Sequence, residues 1–249
     1  LKMLTDEAPE QSPEVRLARG YAALDLADVT AVHAIAAEML AEDPWEWRAL
    51  WIDGLASMQD RDWEGAKASF NAVYQQVPGE LAPKLALAVA CERGGLPQVA
   101  ERLYITCAST DAAYIAAAAF GVARIRAERR DAAAAVEALD WVPRTSRGYP
   151  ESRQLRAEVL LGQGSSDLAV LDQAMRSIES ASMDPATQGR YTVRILEQGL
   201  AIVRAGGGTK KATIGSYDAD ESGLRTGLER GYRLLARDAQ ALPERIELV

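Results

Sequence analysis

The chain has 249 residues, 36 of them acidic and 28 basic, for a net charge of −8. That balance repels the phosphate backbone of a nucleic acid and an anionic membrane surface, and the arginines are spread among carboxylates along the whole sequence rather than gathered in one basic segment. A hydrophobic content of 48 % suits a packed, alanine-rich helical core in one large domain or two small ones. Residues 1–12 are polar and acidic, read as a flexible N-terminal segment, and lack the charged-then-apolar order of a secretory signal. The start on Leu1 fits a fragment of a longer product or a chain trimmed of disordered residues.

From Pro13 onward the sequence repeats with a period of 34: Gly20 and Gly54, Pro44 and Pro78, Ala66 and Ala100, and Phe70 and Tyr104 are each separated by that spacing. Each position has a task in a pair of antiparallel helices. Glycine in a helix costs about 1 kcal/mol against alanine unless close packing compensates, so Gly20 and Gly54 mark close approach. Ala66 and Ala100 are the small residues of the second helices, and Phe70 or Tyr104, one turn on, fills the space between helices. Pro44 and Pro78 end the second helix, because proline has no backbone donor and clashes with the preceding turn. Thirty-four residues per helix pair is the tetratricopeptide-repeat period. The sequence therefore predicts an all-α tetratricopeptide-repeat solenoid of antiparallel helix pairs over residues 13–204, with repeats at about 13–46, 47–80 and 81–114.

Later units are less regular. Helices are expected over 114–127 and 132–141 around the turn Arg129-Arg130-Asp131, with Pro143 as the stop, and a further pair between Glu151 and Ser182 is broken by glycine and serine at residues 162–166. A helix from Pro185 to Arg204, a loop over 205–220 with three consecutive glycines, and a closing helix and tail over 221–249, the helix running from Glu221 to Ala239, complete the chain.

Chemistry-bearing motifs are missing. The most apolar run, Tyr114 to Ala123, is too short to span a bilayer. Cys91 and Cys107 are too few for a disulfide framework and read as reduced core residues of a cytosolic protein. His33 is the sole histidine, which excludes multi-histidine zinc sites and leaves a packing or surface role. The run Gly206-Gly207-Gly208-Thr209-Lys210-Lys211 lacks the Gly-Lys-Ser/Thr ending of a phosphate loop and follows a helix rather than a strand. Asp218, Asp220 and Glu221 lack the calcium-loop pattern and read as linker charge, with Asp220 or Ser222 capping the last helix. No catalytic residue, cofactor or metal is expected in the chain.

The aromatic group Trp45, Trp47 and Trp51, with Trp63 on the next helix, is the most distinctive local feature. In the 34-residue register the groove of such a domain is lined by first-helix residues, here Arg48, Trp51, Leu55, Met58, Lys84, Leu85 and Val89. These are the candidate partner-binding residues. Capture of a free C-terminal carboxylate needs Lys, Arg and Asn at such places, and only Arg48 and Lys84 are basic. The surface is expected to pack against a neighbouring domain or helix. Burial of Trp51 and Leu55 within their own repeats would remove it.

The segment Trp45-Glu46-Trp47-Arg48, the block from Pro78 to Ala88 (Pro-Gly-Glu-Leu-Ala-Pro-Lys-Leu-Ala-Leu-Ala), the turn Val142-Pro143-Arg144-Thr145-Ser146-Arg147 and the final helix from Ser222-Gly223-Leu224-Arg225 to Leu235-Ala236-Arg237 resemble the C-terminal repeat domain of the actinobacterial protein kinase G family. The resemblance covers nearly the full chain. It implies a parent with a rubredoxin-like metal module, a Ser/Thr kinase domain and then this repeat domain, acting in cytosolic control of glutamate metabolism through a forkhead-associated partner. The chain holds no Gly-rich ATP loop, His-Arg-Asp loop or Asp-Phe-Gly motif, so any phosphotransfer belongs to other parts of the polypeptide. The repeat domain would then contribute docking to the kinase domain of the same chain, homodimer formation and kinase stability. The rival reading is a free-standing repeat adaptor that binds a polypeptide partner.

Overall fold

The computed structural model describes residues 12–162, 164, 167–207 and 212–238. Within them lie twelve α-helices and one two-stranded hairpin. The expected N-terminal segment up to residue 11, residues 163, 165 and 166 of the glycine-serine break, residues 208–211 of the glycine-lysine run and the tail from residue 239 lie outside the described residues. The chain divides into two compact units, Leu1–Ile125 and Arg126–Val249.

The first unit is built on the 34-residue period. Its first helices α1 (Pro13–Asp25), α3 (Trp47–Gln59) and α5 (Leu81–Arg93) are each 13 residues long. Its second helices α2 (Val29–Glu42), α4 (Trp63–Gln76) and α6 (Pro97–Thr110) are each 14. Helix α2 ends two residues before Pro44 and α4 two residues before Pro78, because the residue preceding a proline is pushed out of the helical region.

One backbone device joins first helix to second in every pair. Ala27, Arg61 and Gly95 all take positive φ, of 56°, 60° and 78°. The amide that follows each of them, at Asp28, Asp62 and Leu96, donates to the carbonyl five residues back, on Ala23, Ser57 and Cys91, at 2.9, 2.8 and 2.8 Å. This left-handed turn satisfies carbonyls that the helix end would leave orphaned. Asp28 and Asp62 then use their carboxylates to cap the second helix, accepting from the amides of Ala31 at 3.1 Å and Gly65 at 3.0 Å. Leu96 has no such side chain, and in that pair Gly95 adopts the left-handed backbone without strain while Pro97 presets the first helical residue.

A single 3₁₀ turn, Ala112–Tyr114, precedes α7 (Ile115–Glu128), which keeps the period but is one residue longer than the earlier first helices, so the register slips by one at α8 (Ala132–Asp140). The α7–α8 turn repeats the device: Arg130 has φ 61° and the Asp131 amide donates to the Arg126 carbonyl at 3.0 Å.

Interior positions also follow the register. Val32, Ala66 and Ala100 are 0 % exposed, and Ala36, Phe70 and Tyr104, four residues on, are at most 1 %. A Cβ at Gly54 would lie 2.7 Å from the Phe70 ring, so the absent side chain is the space that the aromatic occupies. The first repeat has Ala36 in the aromatic position, and there Ile52 of α3 fills the room beside Gly20 instead.

In the second unit, α9 (Tyr149–Gly162), α10 (Leu168–Ser180), α11 (Pro185–Ile202) and α12 (Glu221–Asp238) enclose Leu171, Met175, Ile178, Ile195, Leu196 and Leu224. The loop expected over 205–220 is partly ordered structure. After a π-helical turn, Val203–Gly207, strands β1 (Thr213–Ile214) and β2 (Tyr217–Asp218) pair antiparallel across a turn in which Gly215 has φ 59°. Ile214 is fully buried against Gly199, Leu224 and Leu171, which anchors the hairpin. One buried isoleucine among glycines and polar residues leaves too little periodicity to announce a strand.

The repeated turn predicts opposite effects for opposite substitutions. Arg61→Gly should raise stability by about 0.5–1 kcal/mol and Gly95→Ala should lower it by about 1 kcal/mol, because only glycine enters the left-handed region freely. Urea midpoints at unchanged m-value test both.

Candidate protein-docking site on the first helices

Each register row on the first helices sets one residue from each repeat. One row holds Glu14, Arg48 and Ala82, another Leu17, Trp51 and Leu85, a third Tyr21, Leu55 and Val89, and a fourth Leu24, Met58 and Glu92. Trp51, Leu55, Met58, Leu85 and Val89 are half-buried, in contrast with the sealed second-helix positions. Trp51 and Leu55 pack on a core shared by α1, α2 and α3, and the Trp51 ring lies 5.3 Å from that of Phe70 at a 56° tilt. Tyr21 is 43 % exposed. The tryptophans do not form one cluster: Trp45, in the connection before α3, is 76 % exposed, Trp47, the first residue of α3, is 38 % exposed, and only Trp51 stacks on another ring among the described residues.

Neither basic residue of the candidate set offers a free charge. Arg48 is held by Glu46, with Nε to Oε1 at 2.8 Å and Nη2 to Oε2 at 2.5 Å, and lies 3.7 Å from Glu14, its counterpart one repeat earlier. The Arg48 hydrogen bonds hold the Glu46 carboxyl below the ordinary glutamate range despite its partial burial. Lys84 is buried, not groove-lining. Its ammonium donates to the backbone carbonyls of Pro78 and Glu80 and sits 5.0 Å from the Tyr74 ring centroid. The register supplies the reason, since Lys84 is equivalent to Leu50 rather than to Arg48.

Sequence reasoning passed over Glu92, which the same register places at the Met58 position. Glu92 accepts from the Tyr104 hydroxyl at 2.6 Å and from Arg124 Nε and Nη2 at 2.8 and 3.0 Å, tying α5, α6 and α7 together. Burial alone would raise its carboxyl, but the Arg124 guanidinium and the Tyr104 hydroxyl outweigh burial and lower it. Tyr104 is raised in turn, by burial and then by Glu92.

His33 of α2 is paired with Asp53 of α3. Its Nδ1 lies 2.7 Å from Asp53 Oδ1, and Ser69 Oγ donates to Asp53 Oδ2 at 2.6 Å. The aspartate stands between the serine and the imidazole, whereas nucleophilic catalysis needs the base on the hydroxyl. Cys91 and Cys107 are buried free thiols, and desolvation raises both, which disfavours the reactive thiolate. Among the described residues no group of His, Cys, Asp and Glu is placed to hold a metal, and no helix is long and apolar enough to cross a membrane.

Residues 2–249 match the family model described as "Protein kinase G tetratricopeptide repeat". The chain belongs to the protein kinase G tetratricopeptide repeat family. It is 34 % identical over 244 residues to the serine/threonine-protein kinase PknG of Mycolicibacterium smegmatis, an alignment that takes in 96 % of this chain and 31 % of that protein. PknG of Mycobacterium leprae is 32 % identical over 241 residues with the same two coverages. This member of the protein kinase G repeat family thus spans about a third of the length of these relatives. Among solved structures it is similar to Pseudomonas aeruginosa pilF, with a TM-score of 0.61 and 12 % identity over 94 % of this chain and 95 % of the other. PilW, a type IV pilus biogenesis factor, gives 0.56 and 13 % over 96 % and 100 %. At such identities the likeness concerns the repeat fold alone.

A lowered carboxylate contributes stability that is complete above the ordinary glutamate value of 4.5 and is lost as the pH falls through the lowered value. Glu92→Gln should therefore cost about 1 kcal/mol at neutral pH, at the low end for a charged hydrogen bond because Arg124 is 44 % exposed. The gap between variant and parent should narrow as the pH drops below 4.5, read as converging thermal midpoints.

Proposed function

We propose that the chain is the protein-docking and regulatory repeat domain of a Ser/Thr protein kinase, and that its first-helix face seats the kinase portion of the same polypeptide. The carrying observation is an apolar row on the first helices: Tyr21, Trp51, Leu55, Leu85 and Val89 stay partly open, while Leu17, Ile52 and Ala56 of the same helices are sealed in the core. An apolar surface of that kind is stabilised by a protein partner. Arg48 and Lys84 are already paired, which argues against a free peptide carboxylate as the ligand. Membership of a kinase-derived family, in a chain covering 31 % of its relatives, supplies the candidate occupant.

The family setting adds finer elements to the proposal: cytosolic action, a contribution to homodimer formation and kinase stability, and recruitment of a forkhead-associated substrate in control of glutamate metabolism. In the full-length polypeptide, Tyr21→Glu combined with Val89→Glu should release the repeat domain, increasing the radius of gyration in X-ray scattering and the rate of proteolysis between domains. An unchanged scattering profile with an intact helical signal contradicts docking through this face. A shift from dimer to monomer without a change in protomer dimensions assigns the face to a second copy and overturns the intramolecular version.

A further inference from the structure

Arginines that are scattered in the sequence converge in the second unit. Arg144 from the α8–α9 connection, Arg153 and Arg156 from consecutive turns of α9, and Arg176 from α10 line one cleft of about 340 Å³. Asp140 Oδ1 accepts from Arg153 Nη1 at 2.6 Å and from Arg156 Nε at 3.1 Å. Arg153, only 9 % exposed, also donates to the Leu139 carbonyl and lies over the Tyr149 ring at 5.0 Å. Arg156 Nη1 donates to Ser177 Oγ at 2.7 Å and to the Gln173 carbonyl at 3.3 Å. These bonds fix two guanidiniums in place. The other two are more open: Arg176, 73 % exposed, gives one nitrogen to Asp172 at 2.7 Å, and Arg144 is exposed and enters no ion pair among the described residues. Four guanidiniums thus meet two carboxylates, concentrating positive charge in one concavity of a chain whose net charge is −8.

The geometry points to this cleft as a binding site for a phosphoryl group carried on a Ser or Thr side chain of a polypeptide. A planar carboxylate is met fully by one bidentate arginine, whereas cations arriving from a connection and two helices suit a tetrahedral dianion with three terminal oxygens. The buried, already oriented Arg153 and Arg156 form the floor, and Arg144 and Arg176 form a rim able to close on the anion. Water occupies about 30 Å³ per molecule in the liquid, so the cleft has room for the residue that carries the phosphoryl group as well as the group itself. The source of such a ligand rests on the kinase setting proposed above, since phosphorylated hydroxyls are what a Ser/Thr kinase makes. The charge arrangement stands without that setting.

Fluorescence anisotropy tests the assignment with a nonapeptide mixture carrying a central phosphothreonine between random flanks, its unphosphorylated counterpart, and inorganic phosphate as competitor. The chain should bind the phosphorylated mixture saturably, more weakly as salt is added, and should not bind the unphosphorylated one. Arg144→Glu with Arg176→Glu should weaken binding at least tenfold without moving the thermal midpoint, and Arg144→Gln alone should weaken it severalfold in case the double variant fails to fold. Equal or absent binding of the two mixtures overturns the assignment, as does full binding by the folded double variant. Displacement of the peptide by an equal concentration of inorganic phosphate also overturns it, by making the ligand a free anion. The substitutions lie in the other unit from Tyr21 and Val89, so first-helix docking and phosphoryl binding can fail separately.

Discussion

Four helix pairs of this protein, from α1–α2 to α7–α8, depend on one backbone turn. A left-handed residue at 27, 61, 95 and 130, followed by an amide bonded five residues back, ends the first helix of each of these pairs and starts the second. Once that turn is set, the second helix can present its faces in only one register. Val32, Ala66 and Ala100 are then sealed in the interior, and the next turn buries Ala36, Phe70 or Tyr104 beside them. Three of the four turns are reinforced by an aspartate that caps the following helix, and the fourth by Gly95 and Pro97. Two chemistries thus maintain one geometry, the first by hydrogen bonding and the second by a glycine that enters the left-handed region without strain and a proline that presets the next helix.

That constraint explains which parts of the fold were legible in the sequence. Spacings between Gly20 and Gly54 or Phe70 and Tyr104 carry through to helices that begin 34 residues apart, because each residue type answers a packing need that recurs unchanged. The fourteenth residue of α7, one more than the earlier first helices have, breaks the period, and no composition signal marks it. The hairpin at Ile214 escaped for a related reason: its anchor is a single side chain reaching Gly199, a contact between residues fifteen positions apart that no local pattern encodes.

The candidate site was legible to a similar depth. First-helix register located Trp51, Leu55, Leu85 and Val89, which the fold leaves half-buried, but nearness in sequence misassigned Lys84, whose register partner is Leu50. Glu92 was within reach of the same arithmetic. It lies at the Met58 position and has been put to a structural use, joining three helices through Tyr104 and Arg124. The arginines of the second unit were beyond it. Arg144, Arg153, Arg156 and Arg176 sit on separate elements, and a charge pattern averaged along the chain shows only mixed signs where the fold makes a basic cleft.

A docking function places a physical demand on the first helices: their apolar residues must be less protected in this chain alone than in the complete polypeptide. Hydrogen exchange followed by mass spectrometry measures that difference directly on peptides covering residues 17–24, 51–58 and 85–92. The account predicts slower exchange of these three segments in the full-length polypeptide, with the second-helix segments around Phe70 and Tyr104 exchanging alike in both. Identical exchange of the first-helix segments in the two samples would contradict it.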